Sequence, residues 1–269
     1  KPRHYLCDEA SNWYPDLKDI ESKITNKTKA IVVVHYAGIS CEMDQIISLA
    51  NLYKLPVIED AAQAHLAAID GQNSGTFGDV AVFSFYPTKN MTSGEGGMVV
   101  YKDPAKARIA RLIRNQGMEK RYHNEIAGHN FRMSDIHAAI GVEQLKKVEE
   151  WTEKRELNAI YLNKAITEAE TPYIPNGYRH VFHQYTLKTK PEFRDKIISY
   201  LKEKGIPAMI YYPIPLNEQE AYVNIGHVSG ALTNTNYLCK SVLSLPMHTE
   251  LDDEQIQFIT QSILEFLNK

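Results

Sequence analysis

A strand, a helix and a second strand follow one another between residues 29 and 60, and this order constrains the fold more than any other feature. Residues 29–38, KAIVVVHYAG, form an apolar run rich in β-branched side chains, as does the shorter LPVIED at 55–60. Between them, residues 43–52 place apolar side chains on one helical face. Units of this kind join parallel strands through right-handed crossovers. The sequence therefore predicts an α/β fold in which helices flank a mostly parallel sheet.

Two chemically useful side chains, Asp60 and Lys89, follow the ends of predicted strands. Asp60 ends LPVIED, and strands of α/β sheets carry functional loops at their carboxyl ends. A second apolar run, VAVFSF at 80–85, is followed by Lys89. TSGEGG then supplies turn residues before the apolar run MVVY, so a Gly-rich loop that carries Lys89 should join two strands.

An acid and a lysine at neighbouring strand ends suit pyridoxal phosphate. This cofactor needs an amine for a Schiff base and an acid that keeps its pyridine nitrogen protonated. Neither residue is specific alone, because a loop lysine is usually solvated and a strand-end aspartate often caps a helix. Ser84 adds a third observation, since its hydroxyl stands in an otherwise apolar strand and a phosphate oxygen would serve as its partner.

Three segments, in family order, resemble the DegT/DnrJ/EryC1/StrS family of pyridoxal-phosphate sugar aminotransferases: EDAAQAH, GTFGDVAVFSFYPTKNMTSGEGGMV and GHNFRMSDIHAAIGVEQL. The resemblance implies a fold-type-I transferase with two catalytic residues, Lys89 forming the Schiff base and Asp60 contacting the pyridine nitrogen. It also implies that Gln63 lies near the phenolic oxygen of the cofactor and that Ser84 contacts its phosphate. Asn130 lies where the family reaches the cofactor phosphate of a neighbouring subunit. The expected assembly is therefore a homodimer with shared active sites.

The same resemblance implies the reaction. We expect transamination of a nucleotide-linked keto-sugar, of the 4-keto-6-deoxy or 3-keto type, with an amino acid such as glutamate as donor, in amino-sugar biosynthesis. Related sugar dehydratases carry His where this chain has Lys89, which favours amino transfer. A non-catalytic regulatory or structural member of the same fold is the alternative, although such a protein could lose Lys89 or Asp60 without cost and this chain has both.

The composition gives no reason to expect nucleic-acid or membrane partners. The 269 residues include 30 basic and 33 acidic ones, for a formal net charge of -3, so no general electrostatic attraction to nucleic acid is expected. No apolar run approaches membrane-spanning length. Three widely spaced cysteines fit neither a disulfide framework nor a zinc site, and the histidines form no metal motif. We therefore expect no metal and a reducing cytoplasm.

The chain is expected to form two domains. Residues 1–145 should form the large cofactor-binding domain, and residues 146–269 a smaller α+β domain, because short strands and helices replace the earlier pattern. The opening segment, residues 1–24, resembles a part of the family that lies well inside the large domain. We therefore expect the family's N-terminal part, with a helix start that binds the phosphate, to be missing from this chain.

Several further features have open interpretations. Residues 116–133 are polar and punctuated by glycine, which predicts a loop that is functional or at an interface. Within it, Arg132 either belongs to that interface or forms a structural ion pair. YYPIPL at 211–216 is either a substrate wall or a buried edge strand. His35 ends a strand, where histidine is more often a structural hydrogen-bonding residue than a catalyst, and Leu66 stands where the family frequently has glycine.

Overall fold

The structure, a computed structural model, describes residues 14–223 and 232–268. Their contacts define two compact units: the sheet unit, Lys29–Thr152, and the C-terminal unit, which combines residues 14–28 with residues 153–268. The domain boundary predicted at residue 145 stays a prediction. The opening residues 1–13, which include Cys7, lie outside the described residues.

The helices and strands of the sheet unit follow the predicted alternation. Before this unit, α1 (Leu17–Lys23) begins after its N-cap Asp16. The sheet unit contains β1 (Ile31–Val34), α2 (Met43–Leu52), β2 (Val57–Asp60), β3 (Ala68–Ile69), β4 (Gln72–Asn73), β5 (Val80–Ser84), β6 (Gly97–Tyr101), α3 (Pro104–Arg114), β7 (Met118–Lys120), β8 (His123–Asn124) and α4 (Asp135–Leu145). α5 (Val148–Ala165) then continues past residue 152.

Four strands form the main sheet in the order β1-β2-β5-β6. β2 pairs in parallel with both β1 and β5, whereas β5 and β6 are antiparallel. Ser84 and Gly97 form the last pair between β5 and β6, so residues 85–96 form the predicted Gly-rich loop. The predicted α/β class and the mostly parallel sheet are confirmed.

Side-chain alternation gives this sheet one buried face and one more open face. In β1 the side chains of Val32 and Val34 are 50% and 49% exposed, while their neighbours in the strand are buried. Asp60 pairs in register with Val34, so its side chain lies on the open face, and Ser84 lies on the same face of β5. Glu59 lies on the opposite, buried face. Two adjacent acids therefore occupy different environments.

The C-terminal unit has its own core of helices and an antiparallel strand pair. It contains β9 (Tyr178–Arg179), β10 (Tyr185–Lys188), α6 (Pro191–Glu203), α7 (Glu220–Val223), α8 (Thr233–Ser241), β11 (Val242–Leu245) and α9 (Asp253–Leu267). β10 and β11 pair in antiparallel fashion, and Phe182, Tyr185 and Leu201 belong to the buried core of this unit. α9 begins with a capping box between Asp252 and Gln255.

The prediction that residues 116–133 form only a loop is wrong, and so is the edge-strand interpretation of residues 211–216, whereas their role as a substrate wall stays a prediction. One hairpin was not predicted. Residues 116–133 are not only loop, because β7 and β8 form an antiparallel hairpin there. Residues 211–216, all of them described, form no strand, and Tyr212 and Leu216 are exposed. β3 and β4 form a hairpin whose turn residues, Asp70 and Gly71, have positive φ of 49° and 80°. An Asp-Gly pair is the usual sequence signal for such a turn.

No helix in residues 14–223 or 232–268 is both long and apolar enough to cross a bilayer. In the same ranges, no three His, Cys, Asp or Glu side chains gather into a group that could hold a metal ion.

Candidate active site

Asp60 and Ser84 lie at the carboxyl ends of neighbouring parallel strands, β2 and β5. The Asp60 carboxylate accepts a hydrogen bond from the backbone N–H of Ala62, with an Oδ1 to N distance of 3.0 Å. The Ser84 hydroxyl accepts a hydrogen bond from the backbone N–H of Tyr86 at 3.3 Å, so its own hydrogen can still be donated. Open α/β sheets bind their ligands at this edge of the sheet.

Lys89 lies in the loop between β5 and β6, within electrostatic range of Asp60. Its backbone N–H donates to the carbonyl of Tyr86 at 3.0 Å, which places Lys89 in a turn of the loop that follows β5. Burial lowers the pKa of the Lys89 amine, and attraction to the Asp60 carboxylate opposes that shift. A larger fraction of the amine is therefore neutral at a given pH, and the neutral amine is the nucleophile.

Gln63 is oriented by the loop that follows β1. Its side chain is buried, and its Oε1 atom accepts a hydrogen bond from the backbone N–H of Ala37 at 2.7 Å. An amide carries its acceptor and its donors on opposite branches, so this bond turns the Gln63 NH₂ group away from Ala37. The NH₂ group is the branch that could donate to an oxyanion.

Asn130 lies after the β7-β8 hairpin, in a different part of the sheet unit. Its backbone forms an isolated antiparallel bridge with Asn115, at the end of α3, and its side chain is exposed. The guanidinium of Arg132 donates to the side-chain oxygen of the same Asn115 at 2.8 Å. Within the chain, Arg132 is thus held by a hydrogen bond to a neutral amide oxygen. The structure places Asn130 at the surface, where a second subunit could contact it.

His65 was not proposed from the sequence. It is buried, and it interacts weakly with the backbone of Ser84 without reaching ordinary hydrogen-bond geometry. Both ring nitrogens are buried and unpaired, and the ring centroid lies 5.5 Å from that of Phe83 and 5.9 Å from that of Phe85. Burial, followed by the charge of Lys89, lowers the pKa of His65 to about 4, against a weaker opposing contribution from the backbone of Ser84. His65 is therefore neutral near pH 7. His65 follows Asp60 by five residues in EDAAQAH, but this position alone does not separate it from a histidine that is hydrogen-bonded in a core.

These residues fit pyridoxal phosphate on three observations. The aldehyde of that cofactor requires a neutral amine, and burial favours the neutral form of Lys89. Its pyridine nitrogen requires an acid, and Asp60 stands at the adjacent strand end. The unpaired nitrogens of buried His65, within electrostatic range of Lys89, are the kind of polar atoms that a ligand-binding site leaves without a protein partner.

A mostly parallel sheet with an amine and a carboxylate at neighbouring strand ends defines an α/β enzyme that can hold an aldehyde cofactor on a lysine. The DegT/DnrJ/EryC1/StrS aminotransferase family matches residues 5–264, and the chain belongs to this family. The family consists of pyridoxal-phosphate-dependent aminotransferases. The family, fold class and cofactor predicted from the sequence are thereby confirmed.

Three similar proteins illustrate the range of the family. The pleiotropic regulatory protein of Geobacillus stearothermophilus is 38% identical over 257 residues, covering 93% of this chain and 68% of that protein. The UDP-N-acetyl-3-dehydro-alpha-D-glucosamine 3-aminotransferase of Acidithiobacillus ferrooxidans is also 38% identical, over 252 residues, covering 93% of this chain and 67% of the enzyme. The crystal structure of a DegT DnrJ EryC1 StrS aminotransferase from Brucella abortus has a TM-score of 0.94 at 31% identity, covering 100% of this chain and 74% of that one.

Proposed function

We propose that the chain catalyses transfer of an amino group from an amino acid to a nucleotide-linked keto-sugar, with Lys89 and Asp60 as catalytic residues. One observation carries the proposal: Lys89, whose pKa is lowered by burial, lies within electrostatic range of Asp60 at neighbouring strand ends. The Acidithiobacillus relative is named as an aminotransferase of a UDP-linked sugar, which supports the substrate class. We propose glutamate as the donor and the cytoplasm as the location.

Each site residue has a proposed role that its position supports. Pyridoxal phosphate supplies, when bound, a ring that stabilises negative charge at the α-carbon of the amino donor. Lys89 would hold the cofactor through Nζ and then, once the donor amine has displaced it, remove the α-proton as general base and return it as general acid. Asp60 would keep a proton on the pyridine nitrogen. Ser84 would donate its hydroxyl hydrogen to the phosphate, and the Gln63 NH₂ group would donate to the phenolic oxygen.

Borohydride reduction tests the assignment of Lys89. Reduction of protein incubated with pyridoxal phosphate should fix the cofactor on one peptide, the one that contains Lys89. Lys89→Ala should abolish this labelling. Lys102→Ala is the matched control, because the Lys102 amine also lies in the sheet unit, where it donates to the carbonyl of Phe77. Labelling that survives Lys89→Ala, or that maps to Lys102, would sink the assignment.

An exposed apolar helix supports a homodimer with shared sites. None of the 11 residues of α4, all of which the structure describes, is buried. Ile136 is 75% exposed, and Phe131, which directly follows Asn130, is 69% exposed. Exposed apolar surface of this kind usually marks an interaction site. We propose a two-fold dimer that buries α4 and in which Asn130 of each subunit contacts the cofactor phosphate of the other.

A complementation experiment tests the shared site. Lys89→Ala and Asn130→Ala chains are mixed and allowed to exchange subunits, and transamination is assayed with a panel of nucleotide-linked keto-sugars. One site of each heterodimer then carries both changes and the other carries neither, so a statistical mixture should recover about one quarter of the wild-type activity. A mixture of Lys89→Ala with Lys89→Arg is the control and should stay inactive. No recovery despite proven exchange would rule out Asn130 acting across the interface.

A non-catalytic, regulatory function is the second candidate, and the name of the Geobacillus relative is the observation that favours it. The two candidates differ in what Lys89 is needed for. A regulatory protein should keep its binding partners after Lys89→Ala, whereas an aminotransferase loses all half-reaction with glutamate. Absorbance changes of the bound cofactor on addition of glutamate separate them directly.

A further inference from the structure

Glu59 precedes Asp60 in β2, and its carboxylate is buried under hydrogen bonds from two loops. Oε1 accepts from the backbone N–H groups of Phe77 at 2.8 Å and Gly78 at 2.6 Å. Oε2 accepts from the backbone N–H of Gly75 at 2.7 Å and from the His35 ring at 2.8 Å. Burial alone would raise the pKa of Glu59, but the bonds from His35, Gly78 and Gly75 lower it. The group is therefore an ionised carboxylate inside the unit.

His35 connects this carboxylate to Asp60. Its Nδ1 atom accepts a hydrogen bond from the backbone N–H of Cys41 at 3.1 Å, so Nε2 carries the hydrogen that is donated to Glu59. The backbone N–H of His35 donates to the carbonyl oxygen of Asp60 at 3.0 Å. One residue thus holds the side chain of Glu59 and the backbone of Asp60. The same loop holds Gln63, through the N–H of Ala37.

The loop on the other side of Glu59 has little freedom to move. A Cβ atom at Gly78 would lie 2.7 Å from the carbonyl oxygen of Val57 and 3.3 Å from the Cγ atom of Glu59. The backbone therefore approaches Glu59 as closely as a side-chain-free residue permits. If the carboxylate were lost, the N–H groups at Gly75 and Gly78 and the ring of His35 would have to find other acceptors, and the end of β2 would shift with them.

We infer that Glu59, acting through His35, is a positioning residue that fixes the carboxylate of Asp60 at the end of β2. The inference rests on the proposed function, in which Asp60 contacts the cofactor. Glu59 itself touches no reacting atom, because it lies on the buried face of the sheet. The ionised carboxylate of Glu59 would hold the end of β2, and therefore Asp60, in a fixed position.

Glu59→Gln is the informative change. It keeps the size of the side chain but replaces one oxygen by an NH₂ group, which in either orientation would face two hydrogen-bond donors, those of Gly75 and His35 or those of Phe77 and Gly78. The measurement is the dissociation constant of pyridoxal phosphate from the apoprotein, by absorbance titration, made with Asp60 and again with Asp60→Asn. Ser74→Ala is the matched control, since its buried hydroxyl bonds Ser40 between the same two loops.

With Asp60 present, Glu59→Gln should weaken cofactor binding by at least about tenfold, and with Asp60→Asn by no more than about twofold, because the two residues act as one unit. Ser74→Ala should lower the melting temperature while changing the dissociation constant by less than about twofold. Equal weakening in both backgrounds, or equal weakening by Ser74→Ala, overturns the inference alone. A wild-type protein that binds no pyridoxal phosphate overturns the proposed function together with it.

His35 variants keep the inference testable if Glu59→Gln fails to fold. His35→Gln can still donate one hydrogen bond and accept another, as the neutral imidazole does, whereas His35→Leu can do neither. His35→Gln should keep the dissociation constant within about threefold of wild type, and His35→Leu should raise it by more than about tenfold. Equal dissociation constants for the two variants would contradict the role assigned to the pair.

Discussion

Leu66 is a test of backbone strain beside the active site. Its φ of 69° lies in the left-handed region, where any residue with a Cβ atom is strained. Such strain costs about 1–2 kcal/mol. The side chain is half-buried against the cluster of Phe85, Met91 and Val148. Full burial of a leucine contributes about 1.5–3 kcal/mol, so half-burial contributes about 1 kcal/mol.

These magnitudes predict an unusual order of stability. Leu66→Ala loses the packing and keeps the strain, so the free energy of unfolding should fall by about 1 kcal/mol. Leu66→Gly loses the same packing but relieves the strain. Its free energy of unfolding should therefore lie within about 1 kcal/mol of the wild-type value. The free energy of unfolding of the glycine variant should therefore exceed that of the alanine variant by about 1 kcal/mol, which corresponds to about 2–4 °C in melting temperature. In a helix or strand interior the order is the reverse, by about 0.5–1 kcal/mol.

Urea unfolding of wild type, Leu66→Ala and Leu66→Gly measures these free energies. Leu49 gives the matched control: it is half-buried, lies in α2 of the same unit and has ordinary helical φ. There the alanine variant should be more stable than the glycine variant. If Leu66→Ala proves at least as stable as Leu66→Gly, the strain argument is refuted, and packing alone decides the stability of this position.

Two further predictions concern the lysine and the hairpin. The condensation of Lys89 with pyridoxal phosphate should show a pH midpoint below the ordinary lysine pKa of about 10.4, because burial lowers the pKa. Asp60→Asn removes the opposing attraction and should move the midpoint lower; a midpoint that rises would contradict this. Gly117→Ala puts a Cβ atom 1.7 Å from the carbonyl oxygen of Ile126 and should disrupt the β7-β8 hairpin, seen as faster proteolysis there. Gly71→Ala is the control. Gly71 also has positive φ, but a Cβ atom there would have no neighbour within 4 Å, so proteolysis at the β7-β8 hairpin should be unchanged.

The regular elements of the sheet unit could be predicted because they are local. The spacing of apolar residues predicts β1 and α2. The start of α4 is indicated by its N-cap Ser134, whose hydroxyl accepts a hydrogen bond from the N–H of His137. The placement of Asp60 and Ser84 at one edge also follows from local pattern, since parallel strands end on the same side. The β7-β8 hairpin could not be predicted in this way, because its strands are polar and only 3 and 2 residues long.

His65 could not be identified from the sequence because its surroundings come from segments that are distant along the chain. His65 is recognisable only once its nitrogens are seen to be buried without partners, and burial is a property of the fold. Of its two aromatic neighbours, Phe83 lies in β5 and Phe85 directly follows that strand. Nothing in EDAAQAH distinguishes that histidine from one that is hydrogen-bonded in a core.

Glu59 and Asp60 show why the choice between two adjacent acids needs the structure. A strand turns successive side chains to opposite faces, so one acid of the pair must enter the core if the other faces a ligand. A buried carboxylate is costly unless donors surround it, and the chain can supply three backbone N–H groups only by folding residues 75–78 tightly against it. The loop that begins at Gly75 is thus shaped by Glu59. It follows that exchanging the two acids for one another, Glu59→Asp with Asp60→Glu, would preserve charge and composition yet withdraw the core carboxylate from its donors.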